Sequence, residues 1–161
     1  GKKYNIDILV ETGTFWGDMI AANKHHFRQV ISIELSEYLY EQARKRFSRY
    51  KHIKLIHADS THALGEVLAT LDRPAIFWLD AHSMGTANTA HGLFETPVVQ
   101  EIEQILSHHI QNHVVLIDDA RFFNGHNDYP TLESLKQLIY SLSSRIWFEV
   151  QHDIIRISPR V

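Results

Sequence analysis

The sequence predicts an α/β protein built on a doubly wound, mostly parallel sheet, with helices on both faces and an antiparallel hairpin at the C-terminal end. Three observations carry this. Short apolar runs alternate with helical periodicities along most of the chain. The first run passes through a glycine-bearing turn directly into a helix start. The last two runs, Ile146–Val150 and Ile154–Ile157, lie too close together for a crossover helix, so they pair antiparallel. With 161 residues, 44% of them hydrophobic, the chain supports one sizeable core and not two, and a single domain over 1–161 is expected.

Each element has its own signal. The first strand is the run beginning at Ile8, and Asp18-Met-Ile-Ala-Ala22 starts the helix after it. Val30–Ile33 is the second strand, ending at Glu34. Ser36 caps a helix whose Leu39, Tyr40, Ala43 and Phe47 share one side. Ile53–Ile56 is the third strand, and Leu64, Val67, Leu68 and Leu71 mark the helix that follows. Ala75–Leu79 is the fourth strand, ending at Asp80. Thr96 and Pro97 read as a cap followed by proline at the first helical position, with Val98, Ile102, Ile105 and Leu106 as the buried stripe. His113–Ile117 is the fifth strand, ending at Asp118 and Asp119. Thr131 opens the last helix, with Leu135, Leu138, Ile139 and Leu142 inward. The pairs His25, His26 and His108, His109 fall on predicted helices as surface residues. Segments 81–95 and 121–129 show little periodicity. Both follow strand tips and are read as a substrate-facing lid.

The chemistry concentrates at those tips. Gly13 and Gly17 let backbone approach a ligand where a Cβ would collide. Glu34 lies roughly twenty residues past the first glycine, where an acid meets ribose hydroxyls. The order is Glu11-x-Gly13-x-x-x-Gly17, not the Gly-x-Gly-x-x-Gly of a dinucleotide site. A carboxylate at Glu11 repels a pyrophosphate and suits a cationic ligand. Asp59, Asp80 and the Asp118–Asp119 pair repeat the pattern along one sheet end, and like charges gathered there call for something positive.

At these residues the sequence resembles the Rossmann-type S-adenosylmethionine-dependent methyltransferases. It is most similar to a set of bacterial methyltransferase-like proteins carrying the segments that stand here as Glu11–Thr14, Ser32–Ser36, Phe77–His82 and Leu116–Arg121. The resemblance covers nearly the whole chain and implies a Rossmann-like seven-stranded sheet. It implies cofactor contacts from Glu11, Thr12, Gly13, Gly17, Glu34, Leu35, Asp59, Ser60 and Asp80. It also implies a metal-dependent O-methyltransferase triad of Asp80, Asp118 and Asp119, for which Mg2+ is the natural cation, binding an acceptor hydroxyl and lowering its pKa. His82, two residues past Asp80, suits a general base near neutral pH, and Asp80 stands beside it in the catalytic set. A metal-free site using His82 as base is the other arrangement these residues allow. Relatives often carry an N-terminal segment over the cofactor, and few residues precede the first strand here. Substrate recognition is then expected from the two loops or from a second copy in a homodimer.

Composition narrows the partners. There are no cysteines, which excludes thiolate chemistry and disulfides. No apolar run reaches the roughly 20 residues of a membrane span, so a cytoplasmic protein with no membrane partner is expected. A formal charge of −3 disfavours nucleic acid, and the run Arg44, Lys45, Arg46, Arg49, Lys51 and Lys54 reads as a solvated helix face. A small-molecule hydroxyl is the expected acceptor. A non-catalytic cofactor-binding module is the chief alternative. A metallohydrolase leaves Glu11, Gly13, Gly17 and Glu34 without a purpose, and an NAD-dependent oxidoreductase conflicts with Glu11 and the glycine spacing.

Overall fold

The computed structural model describes residues 1–80, 97–126 and 129–160. Its strands are β1 (Ile8–Thr12), β2 (Gln29–Glu34), β3 (Ile53–His57), β4 (Ile76–Leu79), β5 (Val114–Ile117), β6 (Ile146–Gln151) and β7 (Ile154–Pro159). Its α-helices are α1 (Asp18–Asn23), α2 (Glu37–Phe47), α3 (Ser60–Ala69), α4 (Val98–Leu106) and α5 (Leu132–Leu142). The strands form one sheet in the order β3-β2-β1-β4-β5-β7-β6. The first five run parallel, and β7 pairs antiparallel with both β5 and β6. The predicted Rossmann-like seven-stranded architecture is the one observed.

Strand alternation explains the two layers of core. Side chains of successive residues leave opposite faces of a sheet. Ile8, Val10, Ile31, Ile33, Phe77, Leu79, Val115 and Ile117 therefore pack on one face, with Leu64 and Val67 of α3, Ile102 and Ile105 of α4, and Leu135 and Ile139 of α5. Leu9, Val30, Ile76 and Val114 pack on the other, with Ile20 of α1 and Ala43 and Phe47 of α2. Strands buried on both faces read as continuous apolar runs, which is why they were legible in the sequence. The closing hairpin turns on His152 and Asp153, both at positive φ (54° and 62°), as a two-residue turn with the twist of its strands requires.

Some boundaries differ from expectation. Helix α1 ends at Asn23, so His25 and His26 lie in the turn that follows. Helix α4 ends at Leu106, and His108 and His109 lie beyond it, ahead of a reversal at Asn112 with φ 68°. Pro97 itself occupies the N-cap of α4, while Thr96 lies outside the described residues. Segment 121–129 is not simply a lid. A 3-10 turn covers Ala120–Phe122, Phe123 is buried in the core against Tyr129, and Asn124 bridges Thr131. Phe123 provides the apolar anchor that the polar composition of the segment concealed.

Candidate functional site

Five parallel strands bring their C-terminal ends to one edge of the sheet, and the order of strands sets the order of groups along it. From β3 to β5 the tips present Asp59, Glu34, the turn after Thr12, Asp80 and Asp118. The turn at β1 is fixed by backbone. Gly13 N–H donates to the Ile33 carbonyl at 2.9 Å, extending the β1–β2 pairing, and Asp80 N–H donates to the Thr12 carbonyl at 3.2 Å. Gly13 has φ 81°, and a Cβ there would lie 3.1 Å from the Asp80 Cβ, so the turn and Asp80 are in close contact. Gly17, at φ 77°, has a different reason. Its Cβ would lie 2.6 Å from Phe47 Cε2, so the absence of a side chain at Gly17 makes room for the α2 ring.

Consecutive residues of β1 leave opposite faces, and each reaches a buried carboxyl. Glu11 lies on the α1/α2 face at 2% exposure, where Ser32 Oγ donates to its Oε2 at 2.5 Å and Thr14 Oγ1 lies 2.6 Å from Ser32 Oγ. Burial, with smaller contributions from the Asp80 and Glu34 charges, pushes the Glu11 pKa up to about 8 against the pull of the Ser32 bond. Thr12 lies on the α4 face, where its Oγ1 donates to Glu101 Oε2 at 3.4 Å. Glu101 is 1% exposed, and its Oε1 has no hydrogen-bond partner among the described residues. Burial raises its pKa to about 7, helped by Asp59 and Asp80 and opposed by the Ser60 and Thr12 hydroxyls.

Glu101 is the residue that the sequence reading missed. The signal was present: Val98, Glu101, Ile102 and Ile105 follow the helical spacing that faces a core, and an acid on that stripe is out of place.

Glu34 closes the loop after β1. Its Oε2 accepts from Phe15 N–H at 2.9 Å and its Oε1 from Ser36 N–H at 2.8 Å. A carboxylate accepts about four bonds, so both oxygens retain capacity for hydroxyl donors. Asp59 caps α3, its Oδ1 accepting from Thr61 N–H at 2.8 Å and Thr61 Oγ1 at 2.6 Å, and Ser60 is the first residue of that helix. Leu35 is 54% exposed just past β2, alongside exposed Phe15, Trp16 and Tyr38, so flat apolar surface borders the Glu34 tip. Among the described residues, no Lys or Arg forms an ion pair with Glu11, Glu34 or Glu101.

The β5 tip differs. Asp118 Oδ1 accepts from Asp119 N–H at 2.9 Å, and burial raises the Asp118 pKa, with the Asp119 and Asp80 charges adding to it. Asp119 has left-handed backbone (φ 56°) and a buried carboxylate paired with Arg121 at 2.6 Å; Arg121 also binds Asp153. The expected metal triad of Asp80, Asp118 and Asp119 therefore does not fit a cation, because Asp119 already holds a guanidinium. Among the described residues no group of three His, Asp or Glu side chains is arranged to take a metal ion. His82 and the rest of segment 81–96 lie outside the described residues. Among the described residues no helix is long and apolar enough to cross a membrane.

No family model and no curated protein sequence matches this chain. Solved structures do. The SAH-bound methyltransferase PaMTH1 from Podospora anserina superposes with a TM-score of 0.62 at 18% identity, covering 96% of this chain and 72% of that one. The 23S rRNA methyltransferase ErmE gives 0.65 at 15% identity, covering 99% and 65%. A precorrin-6y C5,15-methyltransferase from Geobacter metallireducens GS-15 gives 0.62 at 10% identity, covering 94% and 79%. This chain has the Rossmann-like fold that those S-adenosylmethionine-dependent methyltransferases share.

Proposed function

We propose that this chain is an S-adenosylmethionine-dependent methyltransferase that methylates the hydroxyl of a small molecule. One observation carries the reading. The buried carboxyls Glu11 and Glu101 and the tip carboxylate Glu34 surround the glycine turn after β1 without an ion pair to any described Lys or Arg. Such a site favours a cation that carries no phosphate, and disfavours a dinucleotide.

The chain's own groups divide the work. Glu34 accepts from ribose hydroxyls with the capacity left by its two backbone bonds. Asp59 meets the adenine amine, with Ser60 and Leu35 flanking the base. The turn at Thr12 and Gly13, with Asp80 against it, receives the amino-acid end. When bound, S-adenosylmethionine supplies an electrophilic methyl group on a positively charged sulfur. His82 takes the proton released by the acceptor hydroxyl, and Asp80 stands two residues away to orient it. An Mg2+-assisted version would need Asp119, whose carboxylate is committed to Arg121, so the proposal rests on His82. A formal charge of −3 supports a small acceptor over a nucleic acid.

Calorimetric titration with S-adenosylhomocysteine, with Glu34→Ala as the variant, tests the reading. The expected result is micromolar binding that weakens at least about tenfold in the variant, a loss near 1.4 kcal/mol. Unchanged affinity removes the ribose assignment. Binding without transfer of labelled methyl to any of a panel of sugars and phenols would favour the non-catalytic binding module.

A further inference from the structure

Glu11 and Glu101 lie on opposite faces of the sheet, one on each side of the β1 tip, and both are all but sealed from solvent. Among the described residues, no Lys or Arg forms an ion pair with either. Glu101 meets the Thr12 hydroxyl from β1, Ser60 and Asp59 from the start of α3, and Asp80 from β4. Its own helix adds Gln104, bonded to the Thr61 carbonyl, while α3 and α5 offer Leu64, Leu135 and Ile139. Glu11 meets Ser32, with Thr14 behind it, and the charges of Glu34 and Asp80. Among the described residues, His62 is an exposed imidazole 4.0 Å from Asp59. A buried carboxyl among hydroxyls and acids keeps its proton until a cation arrives. Glu101 Oε1, buried and without a hydrogen-bond partner among the described residues, marks where a compensating group is lacking.

S-adenosylmethionine and S-adenosylhomocysteine share the same amino-acid group and nucleoside and differ by one positive charge at sulfur. Resting on the cofactor reading above, we infer that Glu101, together with Glu11, selects the sulfonium cofactor over its neutral product by giving up a proton when the cation binds. The carboxyl O–H bond breaks, its electron pair stays on the carboxylate oxygen, and the proton passes to buffer. The complex then keeps the net charge of the free protein. Loss of the sulfonium charge after methyl transfer draws the proton back and loosens the product. Glu101 is thus a specificity-determining residue that acts through charge, not a catalytic one. The directions of its pKa and that of Glu11, both raised by burial, agree with this.

Titration calorimetry of the whole chain with each ligand, in phosphate and in Tris at pH 6, 7 and 8, reads the proton directly from the buffer-dependent heat. About one proton should leave per S-adenosylmethionine at pH 7 and none per S-adenosylhomocysteine. Affinity for the first should rise about tenfold from pH 6 to 7, while affinity for the second stays flat. Glu101→Gln, which preserves shape, should reduce proton release and shrink the preference between the two ligands. Equal release with both ligands, or none with either, overturns the inference and leaves the cofactor reading standing. Release that persists unchanged in Glu101→Gln overturns the role of Glu101. Failure of both ligands to bind removes the cofactor reading and this inference with it.

Discussion

The two halves of the strand-tip edge solve the same electrostatic problem differently. Past β5, Asp119 pairs with Arg121, a cation that the protein supplies itself and that also binds Asp153 of the hairpin turn. At β1 and β2, Glu11 and Glu34 are met by hydroxyls and backbone N–H groups, and Glu101 below them by a threonine hydroxyl. Burying a carboxyl without a counter-ion costs stability, so the β1–β2 half is shaped for something other than folding. The contrast teaches that acid count alone does not define a cation site. The sequence shows acids at both halves, and only the structure separates those that meet an arginine from those that meet hydroxyls and backbone N–H groups.

The largest expected effect is at Gly17, because backbone geometry rather than ion pairing sustains the β1–β2 half. Gly17→Ala forces a Cβ against the Phe47 ring at positive φ, and chemical denaturation should show a loss of about 3 kcal/mol. Arg121→Ala probes the other half. It removes the guanidinium from the buried Asp119 carboxylate and should lower the denaturation midpoint, while affinity for S-adenosylhomocysteine stays unchanged. A fall in that affinity would erase the distinction between the halves.

Glu101→Gln acts in the opposite direction on stability. The Glu101 carboxyl ionises near 4.5 in the unfolded chain and near 7 in the folded one, so the free protein loses stability as pH rises from 4.5 through about 7. At pH 8 the glutamine variant should therefore be more stable than the parent by about 2 kcal/mol, and the two should converge at pH 4.5. Equal pH profiles would mean that Glu101 is satisfied in a way its surroundings do not reveal.

The far end of the sheet provides a smaller contrast of opposite sign. Ahead of β5, His113 Nδ1 accepts from Ala75 N–H at 3.0 Å, and its Nε2 lies 3.0 Å from His108 Nδ1. The Ala75 bond requires a bare Nδ1, hence a neutral ring with its hydrogen on Nε2. Burial, with the His108 and His109 rings adding to it, lowers the His113 pKa to about 4. The unfolded chain then takes up the proton first, and stability present above 6.5 is lost as pH falls from 6.5 to about 4. A loss of about 1 kcal/mol, after allowance for partial exposure, should appear in melts at pH 5 against pH 7.

Much of this was legible in the sequence, for reasons that differ by residue. Parallel strands buried on both sides announce themselves as apolar runs, and tip residues such as Glu34, Asp59 and Asp80 follow from where those runs stop. Glu11 and Gly13 were readable because a tight turn requires particular residues at particular spacing. Pairing was not readable. Nothing local says that Arg121 turns back onto Asp119 and Asp153, since the contact depends on the left-handed backbone at Asp119 and on the hairpin turn 32 residues away in sequence. An acid on the apolar stripe of α4 was visible at Glu101, but its partner Thr12 on β1 was not. That Gly17 packs against a phenylalanine ring from the next helix was likewise not readable. In each case the element was local and the partner was not.

Under the proposed function, Glu11, Glu34 and Glu101, none ion-paired to a described Lys or Arg, favour a cationic, phosphate-free nucleoside cofactor at the β1 turn. Parallel titrations of the chain with S-adenosylmethionine and with NAD at pH 7.5 test it most directly. Micromolar binding of S-adenosylmethionine with no heat from NAD is the expected result. Saturable binding of NAD, with S-adenosylmethionine inert, would contradict it.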